Sequence, residues 1–539
     1  MTDTVRTADC LARRLYDAGC RHAFGMPGGE VLTLVDALEK AGIEFVLVKH
    51  ENAAGFMAEA VWQRTGAPGI LVATLGPGAL NGINSVANAH QDRVPLVVLT
   101  GCVDADEAQS YTHQVLDHDR VFRPITKATM RLTPGAAAII ADKAVTMAME
   151  PRPGPVHLDV PIAVAAAEIP RQHTQARRLA PPAAPAPGPD LDRARAALAA
   201  AQRPVLLAGL DAVNEDAGPA LRAFAERFGV PVVTTYRAKG LLEETHPLAL
   251  GGAGLSPLAD RTLVPLVQRA DLVIAAGYDP IEMRPGWRDV WDPARQMVID
   301  IAPVPNHHYM HQSTLTFQTG VAETLAALGD GIAPRATWGH EAAAEARATL
   351  SAAFPADAEW GPGAIVDTCR AVLPRDTLAT VDSGAHRILL SQMWTCHEPR
   401  SLMQSSGLCT MGCAIPLALG AQIASPDRPV VAFTGDAGFL MIAGELATAH
   451  ERGLRPIIVV FVDASLALIE LKQRQRQLPN TGVDFGQHDF AAIGRAFGGH
   501  GATVRDRDGL RRALTDALAA DRFTVIAAQI DRGAYDGKI

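Results

Sequence analysis

Short, uninterrupted apolar runs, many closing on glycine or aspartate, alternate with longer amphipathic stretches along the whole chain. No other feature restricts its fold as strongly. EFVLVKH, GILVATLG and PLVVLTG lie in the first third; RPVLLAG, VPVVTT, DLVIAAG and QMVIDI in the middle; DTLATVD, PVVAFTG and PIIVVFVD in the last. An unbroken apolar run is buried on both faces, the condition of a parallel strand between two helical layers. NAAGFMAEAVWQRTG and NGINSVANAHQD read as connecting helices. Two composition shifts divide the chain. LAPPAAPAPGP at 179–189 is an extended linker, and GIAPRATWGHEAAAEARATLSAAFPADAEWGP at 331–362 is a connector around one polar, Ala-rich helix. The predicted class is α/β: three open, doubly wound parallel-sheet domains over 1–175, 190–330 and 358–539. Ligands of such sheets sit at the C-terminal ends of the strands. The first and third segments share a weak regularity of strand, Gly-containing turn and helix, at Gly76-Pro77-Gly78 and Gly435-Asp436-Ala437-Gly438, which reads as two related domains able to face each other.

Charge narrows the function. With 49 Lys and Arg against 58 Asp and Glu the chain carries a net −9 and shows no basic stripe interleaved with aromatics, so nucleic acid is not expected as a partner. The N-terminus lacks a signal-peptide core, and the longest apolar stretch, PIIVVFVDASLALI, is short and holds Asp463, so no membrane span is expected. The seven cysteines form no Cys-x-x-Cys pair; Cys409 and Cys413 read as small core residues on a helix. A reduced, cytoplasmic enzyme is the expectation.

FTGDAGFLMIAGEL, Phe433 to Leu446, concentrates chemistry. A strand delivers Gly435, Asp436 offers a hard carboxylate, and backbone N–H groups near Gly438 and Phe439 suit a phosphate. Asp463 follows 27 residues later, one helix and one strand on, at the same edge of the neighbouring parallel strand. Two carboxylates, a backbone carbonyl such as that of Ser465, a water and two diphosphate oxygens make an octahedral magnesium site. A helix-capping Asp436 and a strand-end Asp463 are the plain alternative. Glu51, at the mouth of a helix after FVLVKH, reads alone as a helix-start acid.

A Gly-Asp-Gly-like turn followed by a second carboxylate or asparagine at this distance resembles the thiamine diphosphate binding motif. HAFGMPGGEVLTLVDAL, KHENAAGFMAEA, ATLGPGALNGINSVANAHQDRVPLVVLTG, FRPITK, RPGPVHLDVP and SSGLCTMGCAIPLALGA extend the resemblance over nearly the whole chain to acetolactate (acetohydroxyacid) synthases. It implies a pyrimidine-binding first domain, a Rossmann-like central domain and a diphosphate-binding third domain. Thiamine diphosphate and Mg2+ would be held by Pro27, Gly28, Glu51, Thr74, Gly78, His386, Cys409, Met411, Gly435, Asp436, Ala437, Gly438, Asp463 and Ser465, with Asp436, Asp463 and Ser465 on the metal. Glu51 would hydrogen-bond N1′ of the aminopyrimidine, and Met411 would wedge the cofactor into its bent form. Gln114 and Lys127 match positions near the active site. The implied reaction is decarboxylation of a 2-oxo acid, pyruvate first, and ligation to a second 2-oxo acid. The implied assembly pairs the first domain of one subunit with the third of another, a homodimer at minimum and by expectation a homotetramer. AGYDPIEMRPGW resembles the FAD-independent catabolic enzymes, so FAD is not expected. Ala437 replaces the motif's second glycine, which requires a negative φ there, and Ala464 replaces the usual asparagine. Leu468 and Ile469 fall where apolar side chains of the substrate pocket are expected. A non-ligating 2-oxo acid decarboxylase and a binding protein that has kept the fold but lost catalysis stand as alternatives.

Overall fold

The computed structural model describes residues 4–172, 179–356 and 359–539. The domain limits read at residues 1, 175 and 358 lie outside the described residues. Three six-stranded sheets, every pairing parallel, carry the architecture. The first runs over His22–Met26, Glu44–Leu47, Gly69–Ala73, Leu96–Cys102, Ala128–Arg131 and Pro155–Pro161. The second spans Pro204–Ala208 to Leu315–Gln318, and the third Leu378–Val381 to Thr524–Gln529. Numbered within each sheet, the first and third share the order 2-1-3-4-6-5, whereas the middle one is 3-2-1-4-5-6. The middle order is that of dinucleotide-binding folds. The shared order gives the faint sequence regularity a physical form: both outer domains open a crevice where the chain reverses, between strands 1 and 3.

The helix Glu51–Thr65 shows what joins the domains. All its residues from Ala53 to Gln63 are buried, so it has no polar face. One side lies on the first sheet and the other on the third domain's helix Ala414–Ala424, itself apolar throughout. Gly420 makes the approach possible, since a Cβ there would stand 2.3 Å from the Met57 carbonyl oxygen. The helix starts where His50 Nδ1 accepts the Asn52 N–H at 3.1 Å and stops at Gly66, whose φ of 76° is left-handed.

The central domain is locked to both neighbours by one buried cation. Arg237 Nη1 donates to Asp92 Oδ2 of the first domain at 2.7 Å and to the Gln404 carbonyl of the third at 2.9 Å. Asp92 also accepts the backbone N–H groups of Ser406 and Gly407. No helix among the described residues is long and apolar enough to cross a membrane.

Candidate active site at the strand ends

In the third domain the strand Val430–Gly435 leads directly into the helix Asp436–Ile442. Ala437 lies inside that helix and has no positive φ, so its methyl is compatible with the turn. Gly438 is different: a Cβ there would meet Asp382 Oδ2 at 2.1 Å. Asp382 is immobile in that position, because Ala414 N–H and Thr434 Oγ1 donate to it at 2.7 and 2.6 Å. The neighbouring strand Ile457–Val462 ends at Asp463, in register with the 430–435 strand. Asp436 Oδ2 accepts the N–H groups of Asp463 and Ala464 at 3.2 and 2.8 Å, and its Oδ1 accepts that of Ala437 at 2.8 Å. Two carboxylates thus converge at one sheet edge. Burial first, and then the Asp436 charge, push the Asp463 carboxyl up to about 7. Such a pair offers oxygen ligands of the kind a hard divalent cation takes.

Ala464 adopts φ 56° to hand its N–H to Asp436. A methyl-bearing residue in the left-handed region is strained by about 1–2 kcal/mol, which asparagine tolerates better. Ala464→Gly is therefore expected to stabilise the protein by about 0.5–1 kcal/mol after the added freedom of the unfolded chain is subtracted, read as a higher urea midpoint.

A cavity of about 310 Å³ opens on this edge, lined by Asp436, Asp463, Ser465, Met411 and Cys409 among others. His386 is buried, stacked on Phe461 at 5.2 Å, and its Nε2 has no partner among the described residues. Burial, then the Arg387 charge, hold this imidazole down to about 3, so it is neutral. Ser383 Oγ, from the same wall, is also unpartnered. Orphaned polar atoms beside paired carboxylates fit a metal-bound diphosphate, which offers acceptors to the hydroxyl and the ring N–H. Cys409 is not on a helix as expected: it sits exposed in the loop before Ala414 with φ 54°, while Cys413 is buried. The reason is the left-handed turn through Gly412, φ 77°, which delays the helix. Leu468 and Ile469 line the cavity, joined by Leu255, Arg284, Arg387, Lys472 and Tyr535.

The first domain forms a second constellation at its own strand ends. Glu51 is 4% exposed, and Asn81 Nδ2 donates to its Oε2 at 3.0 Å. Gly78 packs against it, since a Cβ there would lie 3.1 Å from Glu51 Oε1 and 2.8 Å from Thr74 Cγ2. Thr74 donates to Glu30, and Gly28 lies so close that a Cβ would meet Thr74 Oγ1 at 2.4 Å. Pro27, exposed, precedes this contact. Gln114 covers Gly76: a Cβ on that glycine, whose φ is 63°, would be 3.1 Å from the Gln114 Cβ.

Lys127 is the exception. Its N–H donates to the Pro155 carbonyl at 2.8 Å and its Nζ to the Glu150 carbonyl at 2.7 Å. It stands before the strand Ala128–Arg131, whereas Glu51 follows Glu44–Leu47. In a parallel sheet these are opposite edges, so the fold does not bring Lys127 to Glu51. Sequence reasoning missed Asn81, Asp382, Arg284 and Arg387. Asn81 and Asp382 were within reach, the first lying one turn past Gly76–Gly78 and the second directly after the strand Leu378–Val381. Nothing local marks either arginine.

With this geometry in hand, comparison assigns the class. The family descriptions "Thiamine pyrophosphate enzyme, N-terminal TPP binding domain", "central domain" and "C-terminal TPP binding domain" match residues 5–121, 191–328 and 382–528. The chain belongs to the thiamine pyrophosphate enzyme family. Within it, the chain is a thiamine diphosphate-dependent enzyme similar to acetolactate synthases. It is 32% identical to the "Acetolactate synthase large subunit" of Parasynechococcus marenigrum, covering 98% of this chain and 88% of that protein. It is 29% identical to the "Acetolactate synthase" of Bacillus subtilis, with 98% and 93% covered. It is also 30% identical, over 97% and 94%, to "Probable 2-ketoarginine decarboxylase AruI" of Pseudomonas aeruginosa.

Proposed function

We propose that this enzyme decarboxylates a 2-oxo acid and ligates the remaining acyl unit to a second 2-oxo acid, using thiamine diphosphate and Mg2+. The observation that carries the reading is the convergence of Asp436 and Asp463 beside the unpartnered His386, with a buried Glu51 at the strand ends of a second domain of identical strand order. Asp436, Asp463 and the Ser465 carbonyl would hold the metal, and His386 the diphosphate. Thiamine diphosphate supplies the electron sink that loss of carbon dioxide from a 2-oxo acid requires.

The chain's own residues supply proton control and orientation. Glu51 would share a proton with the aminopyrimidine once the cofactor is bound, and Asn81 keeps that carboxyl aligned. Leu468, Ile469 and Leu255 exclude water from the reacting carbon. The cavity beside Asp436 takes its wall from the second and third domains, and among the described residues none of the first domain lines it. A second copy of the chain is therefore proposed to bring Glu51, Gly78 and Gln114 over it, making a dimer the minimal unit and a tetramer the natural extension. The reaction is redox-neutral and needs no flavin.

The decarboxylase-only alternative is favoured by one relative's name, but 2-ketoarginine carries a guanidinium, and Arg284, Arg387 and Lys472 on the cavity wall repel it. Product analysis with pyruvate and other 2-oxo acids tests the reading. Ligated hydroxy-oxo acid is expected, and aldehyde alone would reject ligation. Asp463→Ala is expected to weaken magnesium-dependent cofactor uptake at least about tenfold in calorimetry, because the methyl group removes one oxygen ligand from a hard cation. Uptake unaffected by the substitution or by chelator would remove the metal from the proposal.

A further inference from the structure

The cavity that holds Asp436 and Asp463 also carries Arg284, Arg387 and Lys472, and among the described residues none of the three forms an ion pair. Arg387 is 3% exposed; it donates to the Ser405 carbonyl and to Cys409 Sγ, and lies over the Tyr236 ring at 5.5 Å. The Arg284 guanidinium, half-buried on the central-domain loop after the strand Leu272–Ala276, has no hydrogen-bond partner among the described residues. Burial first, and then the Arg387 charge, hold it below its ordinary range. Asp260 offsets the Arg284 charge only at a distance and Arg387 opposes it, and with no ion pair on either guanidinium among the described residues an anion in the cavity would complete them.

The metal-binding acids do not serve as that anion, and the diphosphate proposed for this cavity is matched by the magnesium, His386 and Ser383. Arg387 is bonded to the Ser405–Cys409 loop and Arg284 hangs from the central domain, so neither is bonded to Asp436, Asp463 or the Gly435–Gly438 turn. The carboxylate that departs is a poor candidate too. It leaves as neutral carbon dioxide, and a guanidinium clamped on it would stabilise the reactant more than the transition state. An acceptor 2-oxo acid brings one persistent carboxylate, which leaves cations over, and pyruvate's methyl group answers none of them.

We propose that Arg284 and Arg387, with Lys472 at the rim, select a 2-oxo acid bearing a second, non-departing carboxylate on its side chain. The proposal rests on the reading of the site as one that decarboxylates 2-oxo acids and names the substrate class of that site. The step balances without oxidant or reductant. The C1–C2 bond breaks, carbon dioxide leaves, and the electron pair left on C2 goes to a proton or to the carbonyl carbon of a second 2-oxo acid; the side-chain carboxylate is unchanged and stays on its arginines.

The test uses the holoenzyme and pairs of acids that differ in one group. Oxaloacetate, 2-oxoglutarate and 2-oxoadipate are compared with 4-methyl-2-oxopentanoate, 5-methyl-2-oxohexanoate and 6-methyl-2-oxoheptanoate, in which isopropyl replaces the distal carboxylate, and pyruvate is run alongside. Enzyme-dependent carbon dioxide release is the readout. At least one dicarboxylate is expected to exceed its neutral counterpart about 100-fold in kcat/KM, mostly through KM. In Arg284→Gln that ratio is expected to collapse toward one. Calorimetric binding of unreactive glutarate in preference to hexanoate is the expected companion result. Neutral acids turned over as well as the dicarboxylates at every length, or a ratio that survives in Arg284→Gln, would overturn the proposal and leave the decarboxylase reading standing. Carbon dioxide from none of the acids, pyruvate included, would end both.

Discussion

Glu51→Gln is expected to lower kcat/KM for decarboxylation about 1,000-fold, within the range that one positioned proton carrier contributes, while the protein still folds and still takes up thiamine diphosphate. Glutamine keeps the size of the side chain in the space left by Gly78 and Thr74, and its amide oxygen can accept from Asn81 Nδ2 as Glu51 Oε2 does at 3.0 Å. What it loses is the ability to exchange a proton. Steady-state kinetics alongside calorimetry with cofactor and magnesium separate the two. A variant that keeps more than about a tenth of the activity would show that Glu51 is only the buried first-turn acid that the sequence alone allowed.

Arg237→Met is expected to be the most destabilising single change, by about 3–5 kcal/mol, the range for removing one member of a buried charge group. Arg237 is 8% exposed, and its guanidinium bridges Asp92 in the first domain and Gln404 in the third. Methionine fills the volume but leaves Asp92 and Glu59 buried without a counter-charge. Urea unfolding would show the loss, and the central domain would separate first because the other two remain packed through the Glu51–Thr65 and Ala414–Ala424 helices. Arg237→Lys is expected to recover only part of it, since an ammonium cannot span both partners as a planar fork does. An unchanged midpoint in the methionine variant would mean that apolar packing and the other cross-domain pairs, Arg93–Asp279 and Arg152–Asp211 among them, hold the domains without Arg237.

The outer domains were readable because each buried strand is a continuous apolar run, and a parallel sheet leaves no other solution for such runs. Asp436 and Asp463 were readable for the same reason: a residue that directly follows a parallel strand must stand at the carboxyl edge, and one helix plus one strand sets the neighbour. Lys127 failed by that rule, since it precedes its strand and the parallel direction puts it at the other edge. Ala437 was readable as a condition on φ and found to lie in a helix. Arg284, Arg387 and Arg237 carried no local signal. Each acts across a domain boundary, and periodicity reports only the face a residue shares with its own sheet or helix.

The order of residues alone determined the layers, the direction of the strands and which residues stand at their carboxyl ends, because apolar burial and strand direction are properties of short segments. Only the tertiary structure decided which charges meet. Arg237 finds Asp92, Asn81 finds Glu51, and Arg284 meets Arg387 through the packing of whole domains. Electrostatic energy depends on distance and burial, and neither exists until the sheets have closed on one another.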